Sequence, residues 1–275
     1  MIFKLVAFLL GIALVVLLGR LLAVSLGQLT WSNLAASYLE YLTSRRVMAG
    51  VVYLAAAALV MAFIRQTAAM VGPRVLANLM LGRYYHPREE ELIFMFLDMK
   101  SSTSIAERLG HRKFSRLLQD CFRDLTDVAL RHLVEIYKYV GDEAILTWRP
   151  QDGLTDSNCV ATYFGFCEVL ESRRSHYESA YGCFPEFKAG LNLGPVTVAE
   201  VGVLKREIAY LSDVLNTAAR IQGMCNELES PILISGMLRK RLPEGAPYHY
   251  QSRGEISLRG REEQVGLFGV EGRRE

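Results

Sequence analysis

Acidic residues are nearly missing from the first 64 positions of this chain, where Glu40 is the single exception. Residues 83–275, in contrast, have the mixed composition of an ordinary soluble domain, so the whole chain does not read as one soluble body. The five cysteines, Cys121, Cys159, Cys167, Cys183 and Cys225, form no CxxC pair. They sit within apolar patterns such as "YFGFCEVL", which argues against a zinc knuckle or disulfide framework and for buried thiols in a reducing compartment. Basic stripes are also lacking: 31 Lys and Arg are scattered among 29 Asp and Glu, for a net charge of +2. A nucleic-acid partner is therefore not expected. No internal repeat or low-complexity tract occurs.

What fills the acid-poor segment is long apolar runs. "LVAFLLGIALVVLL" at 5–18 continues past Gly19 and Arg20 into "LLAVSLGQL". A bilayer-spanning helix needs about 20 such residues, so a span over about 3–26 is expected, with Arg20 snorkelling near one end. A cleaved signal peptide is the competing reading, although the apolar stretch is long for one and no small-x-small site follows cleanly. A second run, "VMAGVVYLAAAALVMAFI" at 47–64, carries no charge and is bracketed by Arg45, Arg46 and Arg65. Together the two runs predict a two-helix transmembrane hairpin, residues 1–64, lying in a lipid bilayer. Lys4, Arg65 and Arg74 on one side face two arginines in the connector, so charge bias leaves the orientation open.

Residues 65–91 read as a coupling helix and linker. Gly72 and Pro73 break the helix leaving the membrane, and Val75, Leu76, Leu79 and Met80 then recur at helical spacing. From 92 to 275 the pattern predicts a strand (92–98), helices (102–110 and 112–132), a hairpin of strands (134–140 and 143–148) and a long helix (157–181). Strands (186–193, 196–203 and 206–210), a helix (212–226) and strands near 231–234, 247–258 and 264–270 follow. The order βααββαβ implies an α+β, ferredoxin-like sheet with helices on one face.

Two carboxylates stand out against this frame. Asp98 ends the apolar strand "FMFLDM", and Asp142 sits in the turn of "YKYVGDEAIL". Gly-Asp between β-type residues is a hairpin signal by itself. In a ferredoxin-like sheet, however, the first strand neighbours that hairpin, and the two carboxylates meet. Like charges a few ångströms apart repel by roughly 4 kcal/mol at intermediate dielectric. A hard dication such as Mg²⁺ or Mn²⁺, shared with substrate phosphates, removes that cost.

"FLDMKSST", "KYVGDEA" and "SDVLNTAARIQ" resemble, in order and at compatible separations, the three signature stretches of class III nucleotidyl cyclases, bacterial membrane-anchored ones above all. The resemblance covers about residues 90–270 and includes a basic "LRGR" near the end. It implies that Asp98 and Asp142 bind two metal ions per site, with the main-chain carbonyl of Met99 as a further ligand. It further implies attack of the ribose 3′-hydroxyl on the α-phosphorus, giving a 3′,5′-cyclic nucleotide and pyrophosphate.

By the same resemblance Lys138 contacts adenine N1, Asn216 orients the ribose, Arg220 stabilises the pentavalent phosphate and Arg259 holds the triphosphate, with Arg261 a weaker candidate. The second base-reading position holds Ala209 where adenylate cyclases place Asp, Thr or Ser, so a main-chain group or Tyr210 is needed in its stead. The Glu and Cys pair of guanylate cyclases is absent from these positions, which favours ATP over GTP. Ser101 and Ser102 replace the usual Gly and Phe, and Glu143 follows Asp142 where a small residue is usual. Since one chain carries both residue sets, the resemblance implies a head-to-tail homodimer. Intracellular ATP then puts the catalytic domain on the cytoplasmic side of a multi-pass inner or plasma membrane protein. A guanylate cyclase, and a cyclase-like module that binds nucleotide or a partner without turnover, are the alternatives.

Overall fold

The computed structural model describes residues 17–19, 21–27, 36, 39–41, 43–204, 206–245, 247–257 and 264–272. It divides between Pro73 and Arg74 into two units. In the first, helix α1 spans Arg45–Val71, capped by the Ser44 hydroxyl accepting from the Val47 N–H and ended by Gly72. Among the described residues this is the one helix long and apolar enough to cross a membrane. It contains the expected 47–64 span. The expected span at 3–26 lies mostly outside the described residues, so a two-helix hairpin stays an expectation.

Helix α2 (Pro73–Met80) begins at the boundary residue, and the second unit continues with β1 (Arg88–Met99), α3 (Ser102–Leu109) and α4 (His111–Arg131). The hairpin β2 (Glu135–Val140) and β3 (Glu143–Trp148) comes next, then α5 (Pro150–Leu154), α6 (Asn158–Ser172) and α7 (Arg174–Tyr181). The remainder is β4 (Phe187–Val201), β5 (Glu207–Leu211), α8 (Asp213–Gly223), β6 (Ile232–Ser235), α9 (Gly236–Arg241), β7 (Tyr248–Ser257) and β8 (Gln264–Gly272). The strands form one sheet in the order β2-β3-β1-β4-β6-β8-β7, with β5 also paired to β4. The first four strands of that order are the ferredoxin-like core, antiparallel throughout.

The apolar run of β1 has a simple cause: both faces of this strand are covered. Ile93, Met95, Leu97 and Met99 pack against Leu117, Cys121, Leu125 and Val128 of α4 and Phe166 and Leu170 of α6. Phe94 and Phe96 point the other way, into a second cluster with Val196, Val198, Ile208, Val214 and Ala218. Helix α8 therefore lies on the face opposite α4 and α6, which corrects the expectation of helices on one face only. Alternation along β1 places Asp98 on the α8 face.

Several expected boundaries also shift: the strand expected at 92–98 runs Arg88–Met99 and so begins inside the expected 65–91 linker, and the helix expected at 212–226 ends at Gly223. The long helix at 157–181 breaks at Arg173 (φ −108°, ψ 17°), and the redirected α7 lets the Tyr177 and Tyr181 hydroxyls donate to Asp124 and Asp120 of α4, both at 2.6 Å. The expected strands at 186–193 and 196–203 are one strand. β1 lines its whole length to residue 198, whereas its other side pairs only at 189–191 and 197–201. Pro195, which lacks an N–H, falls in that gap and interrupts no ladder there.

Gly190 is where α8 touches the sheet. A Cβ there would lie 2.2 Å from the Gln222 nitrogen and 2.6 Å from the Ala218 oxygen, both main-chain atoms that cannot swing aside. Gly190→Ala is expected to cost about 3 kcal/mol or more, read as a lower urea midpoint at unchanged slope.

Candidate active site

Asp98 is the penultimate residue of β1, opposite Glu143 of β3 on one side and Lys188 of β4 on the other. Gln222 of α8, only 7% exposed, donates from Nε2 to Asp98 Oδ2 at 2.8 Å. Lys188 Nζ lies 3.6 Å from the same oxygen. Gly141, with φ +63°, turns the β2–β3 hairpin in a backbone region that favours glycine, and this brings Asp142 beside Asp98. Burial raises the Asp98 pKa most, and the charge of Asp142 and a hydrogen bond between the two carboxyls raise it further. Lys188 and Gln222 pull the other way. Met99 buries its side chain in the core.

Asp98 and Asp142 are thus two hard-oxygen carboxylates held together against their own repulsion. Among the described residues no three His, Cys, Asp or Glu side chains close a metal cage. An open site of this kind suits a hard dication that keeps several positions for water or phosphate oxygens. Glu143 is pushed up to about 7 by burial first and then by Asp98 and Asp142.

The sign of that shift gives a prediction. A folded pKa of about 7, above the ordinary 4.5, means that the neutral form of Glu143 favours the folded state below about pH 4.5. That contribution is lost as pH rises through 7, and Asp98, also raised, adds a slope of the same sign. The metal-free chain is thus expected to melt lower at pH 8 than at pH 5 through this site. Glu143→Gln, permanently neutral, should flatten that slope and melt higher than the parent at pH 8; parallel melting profiles would refute the assignment.

Ser101 stands just after β1 with φ +55°, a left-handed conformation that costs a non-glycine residue about 1 kcal/mol. A glycine at this position would adopt the same conformation without that cost. Helix α8 turns Val214, Ala218 and Ile221 inward, as the sequence pattern predicts, Cys225 is buried in the turn that follows it, and Asn216 and Arg220 are exposed on the helix's other side.

A second polar group forms on the hairpin. A β-bulge between Ile136 and Lys138 sets the Lys138 ammonium 5.0 Å from the Tyr137 ring centroid and 3.3 Å from Glu207 Oε1. Burial opposes the Lys138 charge, but Tyr137 and Glu207 outweigh it and raise the pKa. Ala209 pairs with Ala199. The Tyr210 ring turns to the other side of β5, edge-on to Phe94 at 5.2 Å and Tyr137 at 4.7 Å, with its hydroxyl pKa pushed up by burial.

The structure thus brings Asp98 and Asp142 together, and pairs Lys138 with Glu207. Arg259 and Arg261 lie outside the described residues. Gln222, Lys188 and Glu207 are absent from the sequence-derived set. Their signal is the strand register and the packing of α8, neither of which local periodicity reveals.

Residues 84–270 match the family model described as adenylate and guanylate cyclase catalytic domain. The chain belongs to this family. As a cyclase-family chain it is 33% identical over 208 residues to adenylate cyclase 2 of Rhizobium meliloti (strain 1021), a match covering 76% of this chain and 57% of that protein. It therefore spans little more than half of that relative's length. The fold is that of a bacterial light-regulated adenylyl cyclase, with a TM-score of 0.69 at 18% identity over 85% of this chain and 67% of that one. It is equally that of the adenylyl cyclase CyaB from P. aeruginosa, with a TM-score of 0.58 at 20% identity over 69% of this chain and 97% of that one.

Proposed function

We propose that this cyclase-family chain is a membrane-bound adenylate cyclase, converting ATP to 3′,5′-cyclic AMP and pyrophosphate at a homodimer interface. The observation that carries the reading is the pairing of Asp98 with Asp142 at the end of β1. Divalent cations, Mg²⁺ or Mn²⁺, would be held there by Asp98, Asp142 and the Met99 carbonyl, supplying charge that lowers the pKa of the ribose 3′-hydroxyl and neutralises the triphosphate. Asn216 orients the ribose by hydrogen bonding. The Arg220 guanidinium takes up charge developing on the α-phosphate oxygens, and its planar fork matches that geometry. Arg259 holds the outgoing pyrophosphate oxygens. Lys138, a donor with no acceptor capacity, reads adenine N1.

The apolar helix α1, with the apolar run at 3–26, supports a multi-pass anchor in the inner or plasma membrane. ATP then sets the catalytic unit in the cytoplasm. Residues 65–91 would transmit whatever the membrane segment senses.

The test is cyclic nucleotide formation by the purified full chain with ATP or GTP in Mg²⁺ or Mn²⁺. Cyclic AMP that rises more steeply than in proportion to protein concentration supports an adenylate cyclase assembled from two chains. Cyclic GMP as the only product identifies a guanylate cyclase. No product from a folded dimer identifies a nucleotide-binding module.

A further inference from the structure

Ala209 offers no side chain that accepts or donates a hydrogen bond, yet Lys138 has a carboxylate beside it. Lys138 Nζ and Glu207 Oε1 are 3.3 Å apart, with 40% and 38% of the two side chains exposed, so the pair faces an approachable surface. Side chains alternate along β5, and Ile208 and Tyr210 pack into the apolar cluster of the α8 face. Glu207 therefore shares the side of Ala209, one strand repeat away. The Tyr137 and Tyr210 rings, 4.7 Å apart, bring β2 and β5 together beside the pair, and the Lys138 ammonium lies 5.0 Å from the Tyr137 ring centroid.

We propose that Glu207 is the specificity-determining partner of Lys138, supplying from two residues upstream the acceptor that position 209 lacks. This rests on the reading of Lys138 as a base-contacting lysine. Adenine presents an acceptor, N1, beside an amino donor, N6. An ammonium donates only and an ionised carboxylate accepts only, so Lys138 matches N1 and Glu207 matches N6. Guanine in the same pose sets its N1–H donor against the ammonium and its O6 acceptor against the carboxylate, and both contacts are repulsive. Discrimination by such a pair exceeds what shape alone provides, because the wrong base leaves polar groups unpaired.

The experiment compares the full chain with Glu207→Ala and Glu207→Gln. It measures kcat/KM for ATP and GTP, together with affinity for 3′-deoxy-ATP and 3′-deoxy-GTP, which lack the attacking hydroxyl. In Glu207→Ala the ATP-to-GTP ratio should fall about 10–100-fold, with a parallel loss of 3′-deoxy-ATP affinity. In Glu207→Gln, GTP and 3′-deoxy-GTP should improve, since the amide can turn its NH₂ toward O6. Glu207→Gln keeps the side-chain shape and decides the matter if the alanine variant does not fold. An unchanged ratio and unchanged 3′-deoxy-ATP affinity overturn the proposal and leave the pair as a surface ion pair. If the parent forms no cyclic nucleotide, the cyclase reading fails instead, and 3′-deoxy nucleotide affinity alone decides the role of Glu207.

Discussion

Asp98→Ala and Asp142→Ala are each expected to lower kcat by about 1,000-fold or more while the chain stays folded. The size follows from losing a cation anchor, and with it several kcal/mol of charge stabilisation on the transferring phosphoryl group. Retained folding follows from the electrostatics of the site. Asp98 sits half-buried against Asp142 with its pKa raised by burial and by that neighbour. Removing either carboxylate relieves repulsion, which offsets the contacts that Gln222 and Lys188 lose in Asp98→Ala. In the absence of metal the variants should melt close to the parent. Mn²⁺ should raise the parent's melting temperature and leave both variants unmoved, since a ligand stabilises only the state that binds it. Variants that melt far below the parent without metal would show these carboxylates to be structural. Retained turnover would remove them from the chemistry.

Much of this site is local in sequence. Asp98 near the end of the first strand, the Gly141-Asp142 turn and the α8 stripe of Val214, Ala218 and Ile221 are each set by a few neighbouring residues, although the strand itself begins four residues earlier than the apolar run does. The meeting of Asp98 with Asp142 is legible once the first strand is assigned beside the hairpin, because pairing β1 with β3 aligns Asp98 with Glu143. What is not legible depends on register across the sheet and on which face a helix chooses. Lys188 is 90 positions from Asp98 and meets it only through the β1–β4 register. Gln222 reads as one more polar helix residue until Gly190 lets α8 approach the sheet closely enough to bury it. Glu207 is the first residue of the short strand β5, and its pairing with Lys138 depends on a bulge at residue 137 that no composition signal marks. The break at Arg173 likewise follows from partners on α4, with Asp124 accepting from both Arg173 and Tyr177.

Mixing two inactive variants, Asp98→Ala and Arg220→Ala, is expected to restore activity that neither has alone. The reason lies in the geometry of α8. Gln222 is buried against Asp98, and Arg220, two residues earlier, projects about 160° away around the helix. Asn216, one turn before Arg220, is exposed on the same side as the arginine. In one chain, therefore, Asn216 and Arg220 point away from the carboxylates that the proposed reaction needs them to serve. A second copy in a two-fold arrangement resolves this, since each α8 can then face the carboxylates of the other subunit. In a mixed dimer both lesions fall in one site and the other site is intact. With random pairing, half of the dimers are mixed and each has one good site of two, so recovery approaches about one quarter of the parent activity. The measurement is cyclic nucleotide formation at constant total protein while the ratio of the two variants is varied, with a maximum expected at equal amounts. A flat line at background, in mixtures shown to exchange subunits, would mean that Asp98 and Arg220 serve a site within one chain and that α8 must move to bring them together.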